Sequence, residues 1–149
     1  MNFENMHLRN FDFAGKELYA HFNGADLRGA IFNYADLDFS QFKEAKLNGA
    51  QFIKAVLKLA FFDGANLTDA DFEGADLTSA EFERANLKNV NFKGADLIGA
   101  SFDDADLTDA DFEGTTMRQK DFDRIKDRLQ HYKKILRALE STLNIKIVE

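Results

Sequence analysis

An apolar residue returns at every fifth position of this chain, from Phe22 to Met117, without a slip. Five is neither the two-residue period of a strand nor the 3.6-residue period of a helix. The central residue, here position i, is Phe ten times, Leu nine times and Met once, with Phe and Leu alternating. Position i−2 is almost as strict: it is Ala throughout except at Ser40, Val90 and Thr115. The other three positions are mostly polar.

Strand stereochemistry turns this pattern into geometry. Residues i−2, i−1 and i alternate in, out, in, as an extended segment must. Positions i+1 and i+2 then both point out, so the chain has to turn a corner there. Of nine glycines, eight stand at i+2 (Gly24, Gly29, Gly49, Gly64, Gly74, Gly94, Gly99 and Gly114). Glycine reaches positive φ at no steric cost, as the third residue of a type II turn requires. Four sides at right angles close a coil of 20 residues, and residue n then stacks on residue n+20. Phe lines two opposite walls and Leu the other two. Asp or Asn precedes Leu or Met in seven cases of ten and Phe in three of ten, which predicts different turn types at the two kinds of corner. The expected fold is an all-β solenoid with four five-residue sides per coil, a rod about 28 Å long at a rise of ~4.8 Å per coil, followed by a C-terminal α-helix.

The stretches "GADLTSAEF" and "NLTDADFEGADL" resemble the pentapeptide repeat family, whose motif is A(D/N)LXX. The resemblance covers residues 20–117 and implies a right-handed quadrilateral β-helix; the handedness comes from the resemblance alone. Residues 1–19 fit less well. Phe3, Leu8, Phe13 and Leu18 keep the period, but Leu18 to Phe22 is one residue short, and Met1, Met6, Phe11 and Lys16 replace the small residue at i−2. An irregular first coil that plugs the open end is expected, within a repeat region of residues 1–117.

In residues 118–149 the period changes. Phe122, Ile125, Leu129, Tyr132, Leu136, Leu139 and Leu143 form one apolar stripe of a helix, with Asp121 or Asp123 as the expected N-cap. The stripe suits either a lid over the last coil or a homodimer interface. The resemblance bears on the choice, because family members linked to DNA gyrase are dimers joined through C-terminal modules. The tail "NIKIVE" alternates Ile145 and Ile147 and predicts a short strand.

Composition excludes much. The chain has no Cys, no Pro and no Trp, so disulfide, thiolate and Cys-metal chemistry are ruled out. No apolar run is long enough for a membrane-spanning helix, and "MNFENMHLRN" lacks a signal-peptide pattern, which makes the cytoplasm the expected compartment. Residues 1–117 carry 10 Lys or Arg against 21 Asp or Glu, a balance of −11, while residues 118–149 carry 9 against 5, a balance of +4. Such a body repels nucleic acid and attracts basic surfaces. His7, His21 and His131 are scattered, Ser101 in "GASFD" is no nucleophile elbow, and the Asp spacing of "DDADLTDADFEG" fails the calcium-loop template. Neither an enzyme, nor a cofactor, nor a metal site is expected.

Two surface features remain. Ile31, Tyr34, Phe39, Ile53, Val56, Leu59 and Phe61 are apolar at outward positions and converge on the 20-residue map, with Lys43, Lys46, Lys54 and Lys58 as a possible basic rim. An exposed apolar cluster on a polar rod predicts a protein-binding patch. Asp69, Asp71 and Glu73 surround one corner and Asp109, Asp111 and Glu113 repeat the trio two coils on, with Asn89, Asn91 and Lys93 between. Since family members linked to quinolone resistance and gyrase binding resemble a DNA rod, this surface makes a DNA mimic the alternative to a scaffold with an unidentified protein partner.

Overall fold

The structure, a computed structural model, describes residues 1–129 and 146–148, with side chains for residues 1–126. Its repeating element is the corner. After each central residue the chain reverses through a turn closed by the next i−2 amide, as in Ala25 N to Phe22 O and Ala30 N to Leu27 O, both 3.0 Å. The residue at i+2 has positive φ at every corner from Gly24 to Gly114, glycine or not, and the residue before it does not. Positive φ at the third turn residue alone is the type II signature.

Phe and Leu corners share this geometry, so the expected difference in turn type is absent. The Asp and Asn residues at i−1, Asp26 excepted, do one job at both. Their side-chain oxygen accepts the amide two residues on, from Thr78 N to Asp76 at 3.1 Å on a Leu side and from Glu73 N to Asp71 at 2.9 Å on a Phe side.

Successive laps are joined by parallel bridges spaced 20 residues apart, such as His21↔Gln41, Gln41↔Phe61 and Phe61↔Glu81. Each side gives the next lap two backbone bonds near the wall: Phe22 N donates to Gln41 O (2.6 Å) and Gln41 N to Ala20 O (3.0 Å). The four sides are numbered by their inner columns: Phe22, Phe42 and onward on the first face, Leu27 onward on the second, Phe32 onward on the third and Leu37 onward on the fourth. The inner residues are buried, the Phe rings of the middle laps completely. Within a column the rings stack at 4.7–5.4 Å, and the first and third columns meet edge-to-face across the interior at 5.5–6.0 Å. Both arrangements suit the quadrupole of an aromatic ring. Alanine at i−2 leaves the room that these rings fill.

Residues 1–19 depart from expectation: they form a regular lap rather than an irregular plug. Asn2↔His21, His7↔Asp26, Asp12↔Ile31 and Glu17↔Asp36 pair at a spacing of 19. Phe3 stacks on Phe22 at 5.0 Å and Phe13 on Phe32 at 4.8 Å, and Asn5, Asn10 and Gly15 take the positive φ of ordinary corners. The missing residue is confined to the corner after Leu18, where no turn forms. Ser40, directly one lap on, closes the gap: its buried hydroxyl donates to Leu18 O (2.8 Å) and accepts from Ala20 N (3.2 Å). Asp26, also buried, ties the two laps together by accepting from Arg9 and Arg28, each at 2.7 Å. The large i−2 residues Met1, Met6 and Phe11 lie exposed on the terminal lap.

At the other end, strand β1 (Thr116–Arg118) leads directly into helix α1 (Gln119–Leu129). Strand β2 (Lys146–Val148) pairs parallel with β1, Met117 against Ile147, which is the short strand expected of the tail. The helix starts earlier than expected, so neither Asp121 nor Asp123 is its N-cap. Asp121 sits in the first turn, buried, and accepts from Arg118 Nε (2.7 Å) and Gly99 N (3.2 Å), while Asp123 accepts from Gln119 Nε2 (2.9 Å). Ile125 is buried and Phe122 partly buried against the core of the last lap. Leu129 belongs to α1, but its side chain is not among those described; Tyr132, Leu136, Leu139 and Leu143, like Ile145, lie outside the described residues.

Candidate functional site

The register separates the outward apolar residues that the sequence groups together. Ile31 and Ile53 lie on the third face, Phe61 on the first, and the fourth face stands between. Val56 is on that fourth face, half-buried. Its two corners carry the exposed side chains: Tyr34 (63% exposed) on the side of the third face, Phe39 (44%) and Leu59 (42%) on the side of the first. The seven therefore make two ridges flanking one face, not a single patch, because a five-residue side sends neighbouring positions around a corner.

One residue was not legible as part of this surface. Tyr19, 65% exposed, extends the Phe39–Leu59 ridge by one lap, its ring 5.8 Å from that of Phe39. Its position looks irregular in sequence because of the short corner, and that same deletion was the available signal.

Backbone conformation marks the ridges further. Tyr34, Phe39 and Leu59 hold φ of +59°, +58° and +56°. An L-residue in this region costs roughly 1–2 kcal/mol, and only Gly, Asn and Asp visit it readily. Most other corners carry those residues. Here bulky apolar groups occupy a strained position and still face solvent, so folding gains little from them.

The lysines do not form a free rim. Lys43 pairs with Asp63 (3.0 Å) and lies 5.2 Å from the ring of Phe61. Lys58 pairs with Asp76 (3.2 Å), a bond that holds its proton more tightly than in an ordinary lysine. Lys54 lies over the ring of Tyr34 at 5.9 Å. Lys46 is on the second face, away from both ridges.

Asp69 and Asp109 stand at the corner between the second and third faces, and Asp71, Glu73, Asp111 and Glu113 follow on the third face. They are interleaved rather than continuous. Asn89 donates to Asp69 and Asn91 to Asp71, both at 3.0 Å. Lys93 reaches Glu113 and Asp111, both at 3.3 Å, and these bonds raise its pKa. Asp109, like Asp69, stands at a positive-φ corner. His7 and His21 are exposed, with His7 3.9 Å from Asp26, and His131 lies outside the described residues. Among the described residues no three His, Asp or Glu converge as a metal site, and no helix is long and apolar enough to cross a membrane.

The model of a pentapeptide repeat region matches residues 19–92, and that of pentapeptide repeats in eight copies matches residues 80–119. No curated protein matches the chain. Among solved structures, a pentapeptide repeat protein of the Arabidopsis thaliana thylakoid lumen is 33% identical, with 83% of this chain and 75% of that one covered and a TM-score of 0.40. Rfr23, a pentapeptide repeat protein of the cyanobacterium Cyanothece, is 24% identical over 76% of this chain and 86% of that one, with a TM-score of 0.48. QnrB1, a plasmid-mediated fluoroquinolone resistance protein, is 23% identical over 78% and 65%, with a TM-score of 0.33. With repeat models running from residue 19 to residue 119, the chain belongs to the pentapeptide repeat family.

Proposed function

We propose that this chain is a cytoplasmic, non-enzymatic scaffold, wound as a right-handed quadrilateral β-helix, that binds another protein along the corner ridge of Tyr19, Phe39 and Leu59. One observation carries the reading: Phe39 and Leu59 are held in a left-handed backbone conformation and open to solvent, beside the exposed Tyr19. A local rule broken without gain to the fold marks a position kept for another purpose. The ring-filled interior supports a structural rather than catalytic role. The test compares proteins cross-linked to the wild-type chain and to a Phe39→Ser, Leu59→Ser variant in extracts of the host. Loss of a specific cross-linked partner in the variant is expected, and identical profiles would remove the ridge as the site.

The alternative, a DNA mimic acting on gyrase, draws on the acidic corner of Asp69, Asp71, Glu73, Asp109, Asp111 and Glu113. Mimicry needs unbroken charge where phosphates would lie. Asn89, Asn91 and Lys93 interrupt it and engage four of those six carboxylates, which favours the scaffold. A gyrase supercoiling assay separates the two, since the scaffold leaves supercoiling unchanged.

A further inference from the structure

We infer that the partner offers a basic segment with apolar neighbours, seated over the fourth face at its N-terminal laps. This rests on the ridge being the binding site and adds the chemistry of what binds there. Glu17 and Asp36 pair directly across laps one and two, and Asp38 follows on the same face. Like charges directly opposite one another weaken a strand pair. Among the described residues none of these three carboxylates forms an ion pair; Asp36 and Asp38 accept only the backbone amides of Asp38 (3.2 Å) and Lys58 (2.8 Å).

Aromatic rings border the same carboxylates on both sides. Tyr19 and Phe39 stand at one corner, Tyr34 at the other. An open recess of about 430 Å³ lies among Met1, Glu17, Leu18, Tyr19 and Asp36. The nearby cations are already engaged: the Met1 ammonium donates to Tyr19 O at 2.6 Å, Lys54 covers Tyr34, and Lys58, one lap past Asp38 on the same face and attracted to it, is bonded to Asp76 at 3.2 Å, while Lys16 precedes Glu17. Ring faces attract Lys and Arg, and carboxylates take Arg through paired hydrogen bonds. With Lys43 and Lys58 already paired, the unpaired charge beside the ridge is negative, in keeping with the attraction to basic surfaces expected of the acidic body.

The test uses three short labelled peptides, of alternating Arg and Leu, Arg and Ser, and Glu and Leu, titrated by anisotropy against the full chain. The Arg–Leu peptide is expected to bind at least about tenfold more tightly than either control. A Glu17→Gln, Asp36→Asn, Asp38→Asn variant is expected to lose about tenfold of that affinity, while the charge-matched Asp69→Asn, Asp71→Asn, Glu73→Gln variant keeps it. Equal loss in both triple variants, or preference for the Glu–Leu peptide, overturns the inference. A Phe39→Asn, Leu59→Asn variant separates it from the reading beneath, because Asn adopts the same φ at Asn5, Asn10 and Asn89 and the fold survives. Loss there with a silent Glu17 trio leaves the ridge as the site and removes the basic partner. No loss in either removes both.

Discussion

Single residues on this chain divide sharply by direction. Phe72 is wholly buried, stacked between Phe52 at 4.7 Å and Phe92 at 5.4 Å. Phe72→Ala should cost about 3–5 kcal/mol in urea denaturation, as large-to-small core changes do. Thr78 faces out, but its hydroxyl donates to Asp76 at 2.7 Å, so Thr78→Ala should cost about 0.5–1.5 kcal/mol. Equal effects would contradict the in/out assignment. Ser40→Ala belongs with the costly class although it removes a single atom. It strips a buried carbonyl and a buried amide of their partner, and about 1–3 kcal/mol is expected.

At the scale of elements, the side and its corner are what the sequence makes legible. The five-residue period, the alanines and the glycine phase fix the wall, the turn and the 20-residue lap, because each is a local demand on one or two positions. The first lap was harder to read. One missing residue breaks the count, and only Ser40, a lap away in space but 20 residues on in sequence, shows how the break is absorbed. The site is less legible still: Ile31 and Phe61 are both apolar and outward but lie on opposite faces, and whether a lysine is free depends on carboxylates in the next lap. Helix α1 depends on one such contact. Asp121→Ala removes the acceptor shared by Arg118 and Gly99, and hydrogen exchange of residues 119–126 should rise while that of the middle laps stays unchanged. Uniform exchange across both regions would mean that Asp121 does not hold the helix.

Over the whole molecule, outward carboxylates link the laps through charge. Burial raises the pKa of Asp76, but hydrogen bonds from the Thr78 hydroxyl and amide and from Lys58 outweigh it and the net shift is downward. Asp106 is lowered chiefly by Thr108, with Lys88 adding to it. A carboxyl lowered in the folded state contributes stability above its ordinary pKa of about 3.9. That contribution is lost as pH falls below this value and through the folded pKa, when the native state finally takes up the proton. Thermal melts should therefore be flat in this respect near neutrality and fall in acid, and Asp76→Asn with Asp106→Asn should shallow the acid limb; an unchanged limb would deny these two groups a part in it. Because every middle lap meets its neighbour through the same bridges and the same pair of ring columns, an extra lap would find a ready seat. A tandem duplication of the twenty codons for residues 61–80 should lengthen the rod without redesigning anything, so that growth by whole modules is a cheap evolutionary path, whereas a gain that is not a multiple of five codons would throw the downstream aromatic files out of phase unless a residue such as Ser40 absorbed the mismatch.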